Sequence, residues 1–206
     1  MVPTRFQCLM CGRCCRLSSI TLFPHEVLTL SNVAKKLGIN VEFKPSFVVY
    51  DELSGKNIVI SYAMQLVNGK CPFLTETNRC LLHSKYKPYV CRAFPYIPMY
   101  IKYYFDESNK LVFYKVRYGV STACRFVSMF KHVLADKSIQ EVFPNEFVVA
   151  KEMEGVRSAY MHALTLLWRS GLIKLNSKAV VKDGYVNAYE LIRSKLLYIY
   201  MPIKRI

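Results

Sequence analysis

A chain of 206 residues with 52% hydrophobic and 14% aromatic content can bury a core of its own, so its eight cysteines are not needed to rescue a minimal fold. Its formal charge of +15 and pI near 9.5 favour an acidic partner, whether nucleic acid, an anionic lipid surface or an acidic protein, although the Lys and Arg are spread rather than blocked. The N-terminus carries cysteines and arginines where a secretory leader has its apolar core, and the most apolar helical stretch, Ala159 to Leu175, is broken by His162, Arg169, Ser170 and Gly171, so neither a leader nor a membrane span is expected and the reading is cytoplasmic.

In that compartment thiols stay reduced, and eight of them read as ligands before they read as disulfides. Cys8, Cys11, Cys14 and Cys15 fall within one turn-sized stretch, where Gly12 gives a wrapping loop its backbone freedom. An amphipathic helix follows over about Pro24 to Leu37, with Pro24 at its first position and Gly38 just past its end. β-Branched and aromatic residues dominate from Val41 to Tyr50 and from Asn57 to Val67, with Leu53-Ser54-Gly55-Lys56 as the turn of a hairpin that delivers the chain to Cys71. From Cys71 to Pro98 periodicity is short and proline frequent, which predicts an irregular, site-building segment carrying Cys80 and Cys91. Two further strands, about Pro98 to Phe105 and Leu111 to Tyr118, set Lys102, Tyr104, Lys115 and Arg117 on what reads as a solvated sheet face, with a nucleic-acid platform as the rarer alternative. Helices are predicted from Cys124 to about Leu134, from Pro144 to Ser170 and from Val186 to Tyr200. The expected fold is α+β: a small cysteine-cluster metal-binding domain with hairpins over 1–125, and a C-terminal helical segment over 126–206 packed on it.

In chain order, Cys8-x-x-Cys11-Gly12-x-Cys14-Cys15-Arg16, Gly69-x-Cys71-Pro72-Phe73-Leu74 and Cys80-x-x-His83-x-x-x-x-Pro88-x-x-Cys91-Arg92-x-Phe94-Pro95 resemble the YkgJ-like family, whose cysteine cluster is described as a zinc- or iron-chelating domain. The resemblance covers about the first 125 residues and implies a metal centre. A related cluster, in the bacterial flagellin lysine N-methylase, is thought to be an iron–sulfur centre, so the resemblance extends to protein modification, a methylase-like activity or redox. Neither a Gly-rich nucleotide loop nor a Ser-His-Asp, paired-carboxylate or HExxH pattern accompanies the cysteines, so no catalytic residue is assigned. Family members usually carry Tyr and Arg-Pro where this chain has His83 and Lys87-Pro88, and Cys-Pro-Gly where it has Cys124-Arg125-Phe126.

The spacing Cys8-x-x-Cys11-x-x-Cys14 reproduces the first three ligands of a bacterial ferredoxin loop, in which a remote Cys-Pro completes a set; Cys71-Pro72 suits that place, and a [4Fe-4S] cluster suits the set. Neighbouring side chains tend to diverge, so either Cys14 and Cys15 serve different metals, with Cys15 in a second set with Cys80, Cys91 and Cys124, or one of the pair is not a ligand. Zinc is the alternative metal, since Cys₄ sites favour a two-residue first spacing, and it would make the domain a structural module presenting a basic surface to nucleic acid or an acidic partner. Arg16 and Arg92 each follow a cysteine and are placed to offset thiolate charge. Glu26 reads as a first-turn helix carboxylate, and His83 as a turn residue before it reads as a ligand.

Overall fold

The computed structural model describes residues 5–200, apart from 18, 84, 180 and 182. A single 3₁₀ turn, Cys14–Arg16, precedes β1 (Ile20–Leu22), α1 (Pro24–Leu37), β2 (Phe43–Asp51), β3 (Lys56–Met64), α2 (Tyr89–Ala93), β4 (Tyr96–Asp106) and β5 (Leu111–Val120). The chain continues through α3 (Arg125–Leu134), α4 (Ile139–Val142), α5 (Pro144–Arg169), β6 (Leu175–Asn176), β7 (Tyr185–Asn187) and α6 (Ala188–Tyr200), an α+β arrangement. Local signals act directly at α1. Pro24 occupies a position whose N–H no helix would use, Gly38 ends the helix in the left-handed region at φ 65°, and Val27, Leu30 and Ala34 form the buried stripe.

Strands pair in the order β1-β3-β2-β6, antiparallel throughout, and β7 joins β3 in parallel. Asp51, fully buried, secures one corner: its carboxylate accepts from the Leu53 and Lys174 amides at 3.2 and 2.8 Å and from the Ser54 hydroxyl at 2.7 Å. Helix α5 is the spine of the molecule. Its buried Leu164, Leu167 and Trp168 pack with Val49, Ile58 and Ile60 of the larger sheet, while Ala188, Leu191 and Ile192 of α6 extend the same core.

Along the β4–β5 hairpin the period-two alternation turns every second residue toward α5. Tyr114 and Tyr118 donate their hydroxyls to the Glu154 and Ala150 carbonyls at 3.0 and 3.2 Å, and Tyr103 accepts from the Arg157 guanidinium. Arg157 is buried, its charge laid 5.0 to 5.8 Å from the ring centres of Phe23, Tyr103 and Tyr114, a cation–π setting.

Two smaller apolar clusters flank this core. One joins α1 to Leu22, Met64, Phe73 and Leu82; the other gathers Phe126, Val127, Val142 and Phe143 around α3 and α4. The segment from Cys71 to Pro98, expected to be irregular, contains α2, and a cis peptide between Phe94 and Pro95 leads from it into β4. The last helix begins at Ala188 rather than Val186, because Val186 pairs with Ile58 as part of β7. Among the described residues no helix is long and apolar enough to cross a membrane.

His25, on α1, stacks between aromatic neighbours, with its ring 6.0 Å from Tyr160 and its Nδ1 3.0 Å from that hydroxyl. Burial lowers its pKa from the ordinary 6.5, so the unfolded chain binds this proton more readily than the fold does. The contribution of the neutral ring is therefore complete above pH 6.5 and is lost as pH falls through the folded value. Thermal melts across that range should show wild type losing stability toward acid more steeply than His25→Phe, which keeps the stack and cannot titrate.

Candidate metal centre

The cysteine loop is pinned at both ends. Phe6 donates its amide to the Val142 carbonyl at 2.7 Å and packs its ring on Phe126 and Phe143, with centroids 5.2 and 5.5 Å away. At the other end the Cys71 amide donates to the Cys15 carbonyl at 2.7 Å. Between these anchors Gly12 turns the chain at φ 67°, a left-handed conformation that favours glycine, and a Cβ there would crowd Asn78 at 3.1 Å and the Arg16 guanidinium at 2.8 Å. Cys14 and Cys15 lie in the 3₁₀ turn, Cys80 bridges to Leu74, Cys91 rides on α2, and Cys124 is the N-cap residue of α3.

All eight cysteines line one cavity of about 670 Å³, and all eight are free thiols. The cavity sits where the two smaller apolar clusters meet: Cys71 and Cys80 pack against the α1 cluster, Cys124 belongs to the α3–α4 cluster, and the N-terminal loop spans the seam. Cys124 is buried, Cys8 is exposed, and the others are half-buried. Among the described residues no three His, Cys, Asp or Glu side chains draw together closely enough to grip one bare ion.

The adjacent pair does not diverge as expected. The Cys14 and Cys15 Sγ atoms are 3.9 Å apart, because the 3₁₀ turn swings neighbouring side chains through less than the half-turn of a strand. The Cys14 thiol is held well above its usual range by the hydrogen bond it shares with Cys15, with burial adding to the effect. That same bond pulls Cys15 down, but the bond Cys15 gives to Cys71, together with burial, leaves it pushed up to about 11. Cys71, accepting from Cys15, is lowered. Burial raises Cys91 and Cys124. Neighbouring thiols add to these shifts: Cys80 acts on Cys15, Cys71 and Cys91, Cys14 acts on both Cys91 and Cys124, and Cys11 acts on Cys124, so the thiols influence one another across the whole cavity.

The cations also take different places. Arg92 pairs with Glu152 at 3.1 Å and lies over the Tyr89 ring, tying α2 to α5, and Arg16 reaches back to the Gly12 carbonyl at 3.4 Å. Lys87 is the cation that partly offsets the upward shifts of Cys14 and Cys91, a role missed from the sequence. His83 lines the cavity through an exposed turn whose amide donates to the Cys80 carbonyl at 3.2 Å.

Glu26 is more than a first-turn carboxylate. It is buried, and its two oxygens accept from the amides of Phe23 and Tyr89, both at 2.8 Å, so one side chain caps the start of α1 and the start of α2. The second of those helices carries Cys91. Glu26 is therefore a positioning residue for the thiol cavity, and the only signal for it in the sequence was its place on the first turn of α1.

A model of the CxxCxxCC family, a domain described as zinc- or iron-chelating, matches residues 7–115. No curated protein and no solved structure matches the chain significantly. Because that match spans more than half of the sequence and takes in every cysteine lining the cavity except Cys124, the chain belongs to the CxxCxxCC family.

Proposed function

We propose that this chain holds iron–sulfur clusters, [4Fe-4S] in form, one in each of two thiol groups: Cys15, Cys71, Cys80 and Cys91 in one, and Cys8, Cys11, Cys14 and Cys124 in the other. The observation that carries the reading is the single cavity walled by eight free thiols. An all-sulfur donor set suits soft metals and clusters. Four thiolates on one zinc ion, at bonds of about 2.3 Å, would stand only about 3.8 Å apart. Thiols set round a cavity of about 670 Å³ suit a core that holds its ligands farther from one another. When bound, such a centre supplies one-electron chemistry, in redox or in the modification of another protein. The chain's part is to keep thiols free, which suits the reducing cytoplasm, and to set Lys87 against their charge. A second reading, structural zinc, is favoured by one distance: the 3.9 Å between Cys14 and Cys15 Sγ matches the edge of a zinc tetrahedron.

Elemental analysis and a visible spectrum on protein purified without oxygen separate the two. Iron with acid-labile sulfide and a thiolate-to-iron absorption band is the expected result; colourless protein with stoichiometric zinc would overturn it.

A further inference from the structure

The outer face of the β4–β5 hairpin is built differently from its inner face. Cross-strand register places Tyr100 opposite Arg117, Lys102 opposite Lys115 and Tyr104 opposite Phe113, so six side chains form one two-column surface. Tyr100 and Phe113 remain 49% and 39% exposed, and the three cations are exposed as well. Tyr104 and Phe113 stack in parallel, 4.9 Å between centroids and 6° between planes, and the ammonium groups of Lys102 and Lys115 lie 5.1 and 5.6 Å from the Tyr104 centre. The one acid in these columns, Asp106, sits at the turn, where its carboxylate is bound to the Asn109 amide and side chain at 3.0 and 2.7 Å.

We propose that this face binds single-stranded nucleic acid. Phosphates would meet Lys102, Lys115 and Arg117, and unpaired bases would stack on Tyr100 and Phe113. Charge complementarity carries the choice of partner: the face is cationic along its length in a chain of charge +15. Flat ring faces between the cations select single strands over duplex, whose bases are already stacked, and over a lipid surface, which offers nothing planar to stack. Side chains two apart on one strand repeat at about 6.6 Å, a spacing along which an extended strand can be tracked. The surface is distinct from the thiol cavity, and the proposal stands whichever metal that cavity holds.

Fluorescence anisotropy of labelled oligouridylate and oligothymidylate with the full chain, over a salt series, tests it. Binding with a log–log salt slope of about −2 is expected, three phosphates at about 0.7 each. The Lys102→Gln, Lys115→Gln, Arg117→Gln triple variant should flatten that slope. Tyr100→Ser and Phe113→Ser should each weaken binding roughly tenfold with the slope unchanged. A control variant, Lys35→Gln, Lys36→Gln, Lys178→Gln, removes as many exposed cations elsewhere and should bind like wild type. No binding at low salt, equal loss in the control, or tighter binding to phosphatidylserine vesicles or polyglutamate than to the oligonucleotides would each overturn the proposal.

Discussion

Cys15→Ser should lose about half of the metal the chain carries, and Cys71→Ser should lose the same half. Both thiols fall in the group proposed with Cys80 and Cys91, and the backbone bond from the Cys71 amide to the Cys15 carbonyl joins their two segments. Serine keeps the volume but offers a far poorer ligand, since the alcohol does not ionise near neutrality. The pairing is decided by double variants. Cys15→Ser with Cys71→Ser should lose no more metal than either alone, whereas Cys15→Ser with Cys124→Ser should lose nearly all of it. If Cys71→Ser instead added to Cys15→Ser, the proposed grouping would be wrong and the ferredoxin-like set of Cys8, Cys11, Cys14 and Cys71 would stand. The effect on stability should be large, because metal binding is folding free energy, on the order of 10 kcal/mol for structural thiolate sites. Metal must also displace protons from Cys14, Cys15 and Cys91, all of which hold them more tightly than ordinary thiols. Affinity should therefore rise with pH, and a chelator should strip the protein faster in mild acid.

Glu26→Ala should destabilise the fold by about 3 kcal/mol, leaving two buried amide donors without an acceptor. For a chain of this size that is a fall of roughly 6–12 °C in Tm. Metal retention should drop with it, since the Tyr89 amide that Glu26 fixes begins the helix carrying Cys91. Glu26→Gln keeps one acceptor and turns an NH₂ toward a backbone N–H, so about half of the loss is expected. The pH dependence identifies the carboxyl itself. Burial raises its pKa from the ordinary 4.5, outweighing the amides of Phe23 and Tyr89 that pull it down, so the native state holds the proton more tightly than the unfolded chain. The stability it contributes is full below pH 4.5 and is lost as pH rises through the folded value. Wild type should accordingly lead Glu26→Gln by more in acid than at neutrality; a lead that stays flat with pH would show that the carboxyl does not titrate in the fold.

Elements specified by residues next to them in sequence were readable, and those specified by distant partners were not. Helix α1 begins and ends where Pro24 and Gly38 say it should, and the β4–β5 alternation is plain because one face packs on α5 while the other is solvated. Strands β6 and β7 are two and three residues long, too short to show a period, and exist because β2 and β3 offer them edges. Helix α2 has five residues and sits among prolines, and its start is capped from α1 rather than from its own neighbours. The cysteines announced the site by type and spacing. How the 3₁₀ turn aims Cys14 and Cys15, and the arrival of Cys124 from a different apolar cluster, are features that spacing does not encode.

The pinning of Phe6 against Val142 also orders events in time. Emerging from the ribosome, the chain presents Cys8 to Cys15 early, but the surface that receives Phe6 does not exist until α3 and α4 have been made. Until then the first thiols hang open on a tether, within reach of whatever delivers their metal, and the cavity acquires its far wall only when Cys124 has been synthesised. Closing so long a loop costs little more than closing a short one, because the entropy grows only with the logarithm of its length. Delay, rather than weakness, is what the long span brings: loading can come first and sealing second.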